Sequence, residues 1–308
     1  MSTRPPARNG SQASSAALTT AVDLIELPLH HRGKVRELYD LGESYLIVVT
    51  DRISAFDHVL RPAVPGKGRV LNELSRFWFA KTAPFQPNHM IHSDVRRLGD
   101  VVADAEALDG RVMVVSKAQR IDVECVVRGH LTGGAWRQYQ RSGAVNGIEL
   151  PQGLRKNQRL PQAIFTPARK VESGHDEDVS FAELVQALGV ELAGELKSRS
   201  MQLYDFLYVD CKRKGVILAD SKFEFGLIGG ELVLIDELCT PDSSRFWAQE
   251  RFALNIEIDS MDKEPVRTFL ARSGWDFAGE PDPLPDEVVA ATARRYAEIL
   301  ERLTKEDS

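Results

Sequence analysis

Residues 221–238 read SKFEFGLIGGELVLIDEL and carry the strongest structural signal in the chain. Apolar, β-forming runs at 216–228 and 231–238 flank Gly229-Gly230, a dipeptide typical of tight hairpin turns. The stretch therefore predicts two antiparallel strands joined by a short loop. Helical and strand patterns on either side of it, without a regular βαβ alternation, predict an α+β fold rather than a doubly wound sheet.

Four charged side chains interrupt these apolar strands: Lys222, Glu224, Asp236 and Glu237. Such charges are common on an exposed sheet edge, but apolar residues on both flanks favour two buried faces. A buried carboxylate has to be paired with a cation or bound to a metal ion. A structural charge cluster and a metal site both satisfy that requirement.

The length of the hairpin loop determines whether the two acids can act together. With a two-residue loop, position 224 pairs with position 235, and Glu224 and Asp236 point to opposite faces. A three-residue loop over 229–231 pairs 224 with 236 and puts both carboxylates on one face. That arrangement suits Mg²⁺, which takes few protein oxygens and keeps positions open for phosphate. We predict the longer loop or an equivalent bulge.

Outward from the hairpin, the sequence predicts further strands and helices. The strands are at 45–51, 111–118 and 123–128, and the helices are at 69–81, from a Ser180–Glu183 capping box to about Lys214, and at 286–304. Residues 150–178 contain three prolines and a charged end. They predict a long loop, of the kind that is functional or disordered.

Three further segments carry candidate anion-binding residues. In TPDSSR (240–245), Asp242 and the serines either cap a following helix, FWAQERF, or present Arg245 to a phosphate or carboxylate. Arg128 ends a strand before the turn GHLTGG, where backbone N–H groups can approach an anion. Lys34 and Arg36 in RGKVREL belong either to a solvated sheet edge or to a phosphate site, without the spacing of a P-loop or dinucleotide fingerprint.

Composition argues against several classes of protein. The 308 residues carry a net charge of −6 and no basic stripe, which disfavours nucleic-acid binding. The sequence has no apolar run long enough to span a membrane. Three isolated cysteines, Cys125, Cys211 and Cys239, are typical of buried reduced thiols in a cytoplasmic protein. Residues 1–20 predict a disordered tail, and their Arg- and Ser-bearing, acid-free composition also fits a transit peptide.

Seven collinear segments resemble the phosphoribosylaminoimidazole-succinocarboxamide synthase (SAICAR synthetase) family. They are GKVRELYD, TDRISAFDHVL, PGKGRVLNELSRFWF, VECVVRGHLTGGAW, IFTPARKVESGHDEDVSF, DSKFEFG and DELCTPDSSRFW, within residues 28–270. The resemblance implies a two-lobed, ATP-grasp-like and kinase-reminiscent α+β fold with antiparallel sheets. It places ATP in a cleft between an N-terminal lobe, 21–117, and a C-terminal lobe, 118–308. It also implies a cytoplasmic, monomeric enzyme that uses Mg²⁺ to join L-aspartate to carboxyaminoimidazole ribotide (CAIR) with cleavage of ATP to ADP and phosphate.

The same resemblance implies roles for residues that match the family's motifs. The nucleotide positions are Lys34, Val115, Lys117, Ala118, Lys170, Lys222, Glu224 and Asp236, and the metal positions are Asp176, Glu224 and Asp236. The ribotide positions are Arg128, Thr132, Gly134, Asp242, Arg245 and Arg267, with Ser54 and Asp57 on the substrate side. The implied catalytic set is Lys222, Glu224 and Asp236.

Three positions depart from the family's pattern. His130 and Gly134 stand where the family reads GYLTGS, and Asp122 stands where it has proline. Gly134 removes a hydroxyl expected near the ribotide phosphate, a contact that Thr132 or a backbone N–H would have to supply. Two other functions fit the same scaffold. A small-molecule kinase would not require aspartate, and a non-catalytic nucleotide-binding protein would lack the metal ligands.

Overall fold

The computed structural model describes residues 17–171, 176–277 and 279–305. Its strands are β1 (Leu29–Arg32), β2 (Arg36–Asp40), β3 (Ser44–Val49), β4 (Ile53–Ala55), β5 (His58–Leu60), β6 (Met90–His92), β7 (Val112–Ser116), β8 (Gln119–Arg120), β9 (Val123–His130), β10 (Ala144–Val145), β11 (Ile148–Glu149), β12 (Arg159–Phe165), β13 (Ala168–Arg169), β14 (Glu177–Asp178), β15 (Val216–Ile228), β16 (Glu231–Ile235) and β17 (Ser244–Ala248). Its α-helices are α1 (Lys67–Thr82), α2 (Ala105–Leu108), α3 (Gly133–Ser142), α4 (Phe181–Leu188), α5 (Val190–Arg213), α6 (Glu264–Arg272) and α7 (Asp286–Thr304), and 3₁₀ turns lie at Val22–Leu24, Val95–Val101 and Gln249–Arg251.

The first sheet is antiparallel and has the strand order β1-β2-β3-β7-β6. Helix α1 packs on it through the apolar face that the sequence predicts, with Leu71, Leu74 and Trp78 fully buried. The side chain of Asn72 ties the helix to the sheet by donating to the carbonyls of Gly110 and Val112, at 3.0 and 3.2 Å. The helix is one to two residues longer at each end than the predicted 69–81.

The second sheet has eight strands and is built around the long strand β15. Strand β15 pairs antiparallel with β9, β16, β17 and β8 along different parts of its length. Helix α5 covers one face, with Leu203, Tyr204 and Leu207 buried against it. Because β15 is long and central, side chains on its other face reach the wall of the cleft described below.

Residues 87–89 join the two sheets. The backbone N–H of His89 donates to the carbonyl of Leu234 on β16, and the N–H of Leu234 donates to the carbonyl of Pro87, each at 2.9 Å. One apolar cluster also runs from α1 through β15 and β16 to Tyr296 on α7. The fold is thus α+β with antiparallel sheets, as predicted. The exact lobe boundary at 117/118 stays a prediction.

Two predictions about single segments are wrong. Residues 150–178 are not one loop, because β12 pairs with β9 in spite of Pro161, and a register shift between Arg159 and Ile164 accommodates the proline. The expected helix FWAQERF is instead β17 followed by a 3₁₀ turn. Its aromatic residues Phe246 and Trp247 are buried in the sheet, and this tertiary burial overrides the local capping signal.

Other predictions agree with the structure. The capping box of Ser180 and Glu183 begins α4, and α7 has the predicted bounds. The three cysteines are buried and free. No helix in the described parts of the chain is long and apolar enough to cross a membrane. Most of the predicted tail, residues 1–16, lies outside the described residues, whereas the N–H of Leu18 already donates to the Asp51 carboxylate of the body, at 2.9 Å.

Candidate active site

A cleft of about 1300 Å³ lies between the two sheets. It is lined by the predicted residues Lys34, Ser54, Asp57, Val115, Ala118, Arg128, Thr132, Gly134, Lys170, Asp176, Lys222, Glu224, Asp236, Asp242, Arg245 and Arg267. Lys117 is not among the described lining residues. Its ammonium instead pairs with Asp40 at 2.7 Å outside the cleft. The sequence-based assignments therefore converge on one place, apart from the Lys117 side chain.

The hairpin reaches this cleft with a register different from the predicted one. Ile228 pairs with Glu231 and Glu224 pairs with Ile235 without a register shift, so the loop has two residues. The predicted three-residue loop or equivalent bulge is therefore wrong. The two carboxylates nevertheless approach the same ammonium group, because Asp236 follows the end of β16 and has a φ of +66°. Lys222 Nζ lies 2.5 Å from Glu224 Oε1 and 4.0 Å from Asp236 Oδ2.

Glu224 is 5% exposed and is held between two lysines. Lys222 and Lys170 each bring an ammonium nitrogen to 2.5 Å from one of its carboxylate oxygens. Burial alone would raise the pKa of the Glu224 carboxyl, but the two ammonium groups outweigh it and lower that pKa to about 2. Glu224 is therefore an anion at neutral pH, with cations already arranged around it.

Arg36 pairs with the two acids that follow the second strand of the hairpin. Its guanidinium lies 2.8 Å from Asp236 and 2.6 Å from Glu237 and is largely buried. Burial raises the pKa of the Asp236 carboxyl, and the neighbouring Glu224 acts in the same direction against Arg36. The sequence flagged Arg36 without giving it a partner, because a contact between residues two hundred positions apart has no local signal.

The donor set fits a magnesium ion only in part. Within the described ranges, no three acidic, histidine or cysteine side chains are grouped so that they could hold a metal ion. The predicted triad of Asp176, Glu224 and Asp236 is therefore not assembled. Glu224 and Asp236 do converge on one cation, the Lys222 ammonium. Two carboxylates are a sufficient protein contribution for Mg²⁺ when substrate phosphates supply further oxygens.

A second charged cluster lies at the other end of the cleft. Asp220 accepts from Arg128 at 3.3 Å and from Arg245 at 2.5 Å. Glu264 lies 3.2 Å from Arg245 and 3.6 Å from Arg267. Sequence reasoning found the three arginines and missed the two acids that hold them. The alternation of Asp220, Lys222 and Glu224 along β15 is a signal that would have identified Asp220.

Asp242 is engaged by the protein itself. Lys67, whose side chain is 0% exposed, lies 2.8 Å from one carboxylate oxygen, and the Tyr296 hydroxyl donates to the other at 2.6 Å. Burial opposes ionisation, but Lys67 and Lys263 hold the pKa of Asp242 well below its usual range. The predicted ribotide contact at Asp242 thus coincides with a structural junction, and Lys67 and Tyr296 were not anticipated.

The glycine-rich turn at the start of α3 faces the arginine cluster. Gly133 has a φ of +54°, and a Cβ there would lie 2.6 Å from Arg245 Nη2. Gly134 has open space, because an added Cβ would meet nothing closer than Arg137 Nη2 at 3.9 Å. The hydroxyl of Thr132 already donates to Asn157 Oδ1 at 3.1 Å. The first glycine is therefore required by the fold and the second is not.

The chain is similar to known proteins over most of its length. A family model described as SAICAR synthetase matches residues 29–281. The phosphoribosylaminoimidazole-succinocarboxamide synthase of Elusimicrobium minutum is 46% identical over 284 residues, 91% of this chain and 97% of that protein. The enzyme of the same name from Syntrophobacter fumaroxidans is 45% identical over 95% of this chain and 98% of its own. The SAICAR synthase of Saccharomyces cerevisiae, solved in complex with SAICAR, superposes with a TM-score of 0.80 at 35% identity, over 92% of this chain and 96% of that one.

Proposed function

The chain belongs to the SAICAR synthetase family, and on that premise we propose that its cleft joins L-aspartate to CAIR by way of an acyl phosphate. It is an ATP-dependent ligase of purine biosynthesis. The observation that carries the finer proposal is the single face of β15 that presents Asp220, Lys222 and Glu224 to the cleft. Alternate residues of a strand lie on one face, about 7 Å apart. The strand therefore sets an arginine-rich anion site beside a lysine-rich phosphate site.

The chemistry needs such a juxtaposition. A carboxylate resists attack by an amine because it is anionic and has no good leaving group. Transfer of the γ-phosphoryl group from ATP to a carboxylate oxygen of CAIR breaks the bond to ADP and gives an acyl phosphate. The amine of aspartate then attacks the acyl carbon, the carbon–oxygen bond to phosphate breaks, and the amine loses a proton as the amide forms. No protein nucleophile is required, so positioning and charge stabilisation account for the catalysis.

The charged residues divide this work between the two ends of the cleft. Lys34, Lys170 and Lys222 neutralise the phosphates of ATP as charge moves onto the leaving ADP. Arg128, Arg245 and Arg267 hold the anionic ribotide so that its carboxylate lies in line with the γ-phosphorus. Ser54 and Asp57, on the hairpin of β4 and β5, line the cleft, and we assign them to the substrate side.

Magnesium is the ion that the hairpin carboxylates fit. Glu224 and Asp236 would hold it, and Asp176 lies on the same cleft wall without forming a third ligand in this structure. A bound Mg²⁺ would supply positive charge at the β- and γ-phosphates. We further propose that the enzyme works as a cytoplasmic monomer, as its likeness to the longer form of the family implies.

An isotope experiment tests the acyl phosphate. CAIR labelled with ¹⁸O in its carboxylate is incubated with the enzyme, ATP, Mg²⁺ and aspartate, and the released phosphate is analysed by mass spectrometry. Because the oxygen that accepts the phosphoryl group leaves with it, one ¹⁸O atom is expected in each phosphate. Phosphate free of label, in a reaction that still forms the succinocarboxamide, would rule out the acyl phosphate.

A further inference from the structure

The backbone that carries Lys34 is held by a neighbouring segment rather than by a strand ladder. Residues 33–35 lie between β1 and β2 and belong to neither strand. The Arg52 guanidinium donates to the carbonyls of Lys34 and Gly33, each at 3.0 Å, and to that of Arg36 at 3.4 Å. Thr50 donates to the carbonyl of Val35 from its N–H at 3.0 Å and from its hydroxyl at 2.8 Å. Four consecutive carbonyls are thus bound by two residues of one segment.

Arg52 uses its whole donor capacity in this arrangement. Its remaining N–H groups donate to Glu37 Oε1 at 2.9 Å and to the carbonyl of Thr19. A guanidinium has five N–H donors in a fixed planar fork, and here each one has an acceptor. The side chain is 12% exposed, and that of Glu37 is 0% exposed. A buried group with this many directed bonds fixes the backbone around it more tightly than a surface ion pair would.

The backbone held by Arg52 leads to two side chains that line the cleft, Lys34 and Asp57. Lys34 is 52% exposed along its side chain, so its reach into the cleft depends on where its backbone starts. Its ammonium pairs with Asp57, at the tip of the hairpin that begins immediately after Arg52. Arg52 itself is not among the described residues that line the cleft. It therefore connects the turn that carries Lys34 to the hairpin that carries Asp57 from outside the lining of the cleft.

We propose that Arg52 is a positioning residue for nucleotide binding: it orients the Gly33–Arg36 turn so that Lys34 points at the phosphates of ATP. The proposal rests on the function proposed above. The bound carbonyls face Arg52 and Thr50, so their partial negative charges are turned from the nucleotide. Loss of the guanidinium leaves these carbonyls without their hydrogen-bond donors, so the backbone of Lys34 is no longer held in place.

The test compares Arg52→Lys and Arg52→Gln with the wild type in steady-state kinetics. We expect the KM for ATP to rise by about tenfold or more, which corresponds to the loss of one charge-assisted hydrogen bond. The KM for CAIR should stay within about twofold, since Arg128 and Arg245, which we propose hold the ribotide, lie at the other end of the cleft. Lysine should not rescue, because one ammonium cannot bridge carbonyls that a planar fork reaches. Arg52→Gln in a Lys34→Met background should raise the KM for ATP little further, because each change removes the contact between the Lys34 ammonium and the phosphates.

Arg111→Gln is the matched control. Arg111 is also a buried guanidinium beside the first sheet, bidentate to Asp51 at 2.6 and 3.0 Å, and it is not among the described lining residues. Its loss should lower the free energy of unfolding while leaving the KM for ATP unchanged. An unchanged KM in Arg52→Gln, with kcat reduced only in proportion to the folded fraction, would overturn the inference. A wild type without aspartate-dependent ADP release would instead overturn the proposed function.

Discussion

Glu224 is the residue at which the charges of the proposed nucleotide site converge. It is buried between Lys170 and Lys222, and it approaches the same cation as Asp236. Glu224→Gln keeps the shape of the side chain and removes its charge. We expect kcat to fall by at least about 100-fold, because in the proposed site the Glu224 carboxylate would hold the Mg²⁺ that neutralises the phosphates of ATP. Steady-state turnover measures this.

The fold should survive that change, since Lys222 keeps Glu124 at 3.1 Å. Glu231→Gln, on the exposed end of the same hairpin, serves as the control and should retain activity within about twofold. Activity near the wild-type level in Glu224→Gln, with circular dichroism unaltered, would show that Glu224 is a structural acid.

His130 makes stability depend on pH. Burial, and then the nearby Arg159, lower the pKa of this imidazole to about 4, and its Nδ1 is buried without a hydrogen-bond partner within the described ranges. The unfolded chain takes up this proton near pH 6.5 and the folded chain does not. The stabilisation is therefore present above pH 6.5 and is lost as the pH falls toward 4.

His130→Phe should remove this part of the acid sensitivity. Between pH 7 and pH 5, we expect the wild type to lose about 2 kcal/mol more unfolding free energy than the variant does. Urea unfolding at the two pH values measures the difference. Equal losses in the two proteins would mean that His130 is protonated in the fold.

Among the elements, helix α3 begins with two glycines that differ in how well they tolerate a side chain. Gly133→Ala puts a Cβ at a positive φ and against the Arg245 guanidinium. We expect a loss of about 1–2 kcal/mol in stability and a raised KM for the ribotide, because Arg245 has to move. Gly134→Ser should cost less than about 0.5 kcal/mol, since its Cβ has open space. Denaturant unfolding and kinetics of the two variants decide this, and equal effects would contradict it.

The elements also show what the sequence could predict. Strand and helix signals located α1, α4, α7 and the β15–β16 hairpin, because hydrophobic periodicity and capping are local. The hairpin register could not be predicted. The convergence of Glu224 with Asp236 depends on the positive φ of Asp236, just beyond the strand. That conformation is uncommon for residues other than glycine, so the sequence does not predict it. Strand β17 was missed because burial by distant elements determines it.

In the molecule as a whole, Asp242 joins segments that are far apart in the chain. It binds Lys67 at the start of α1 and Tyr296 on α7. Asp242→Asn leaves the Lys67 ammonium buried without its counterion, so we expect a loss of about 3–5 kcal/mol. Tyr296→Phe removes one hydrogen bond to a charged group and should cost about 2 kcal/mol. Chemical denaturation measures both, and an Asp242→Asn protein as stable as the wild type would show that the junction is not structural.

The whole molecule also shows why some site residues could be identified from the sequence and others could not. Every residue assigned from the collinear motifs except Lys117 lines the cleft, because these residues stand next to recognisable turns and strands. Asp220, Glu264 and Lys67 were not predicted, because each pairs with a residue from another element. The resemblance to a family supplied the substrates, whereas residue chemistry alone reached a carboxylate hairpin and basic anion clamps.

In the proposed reaction, this cleft couples ATP cleavage to aspartate and ribotide together. The most direct measurement is ADP release by the purified protein with ATP, Mg²⁺, L-aspartate and CAIR, and with each component omitted in turn. We predict ADP release in step with succinocarboxamide formation in the complete mixture and background release in every omission. Steady ADP release without aspartate, or no release in the complete mixture, would show that the cleft does not catalyse this ligation.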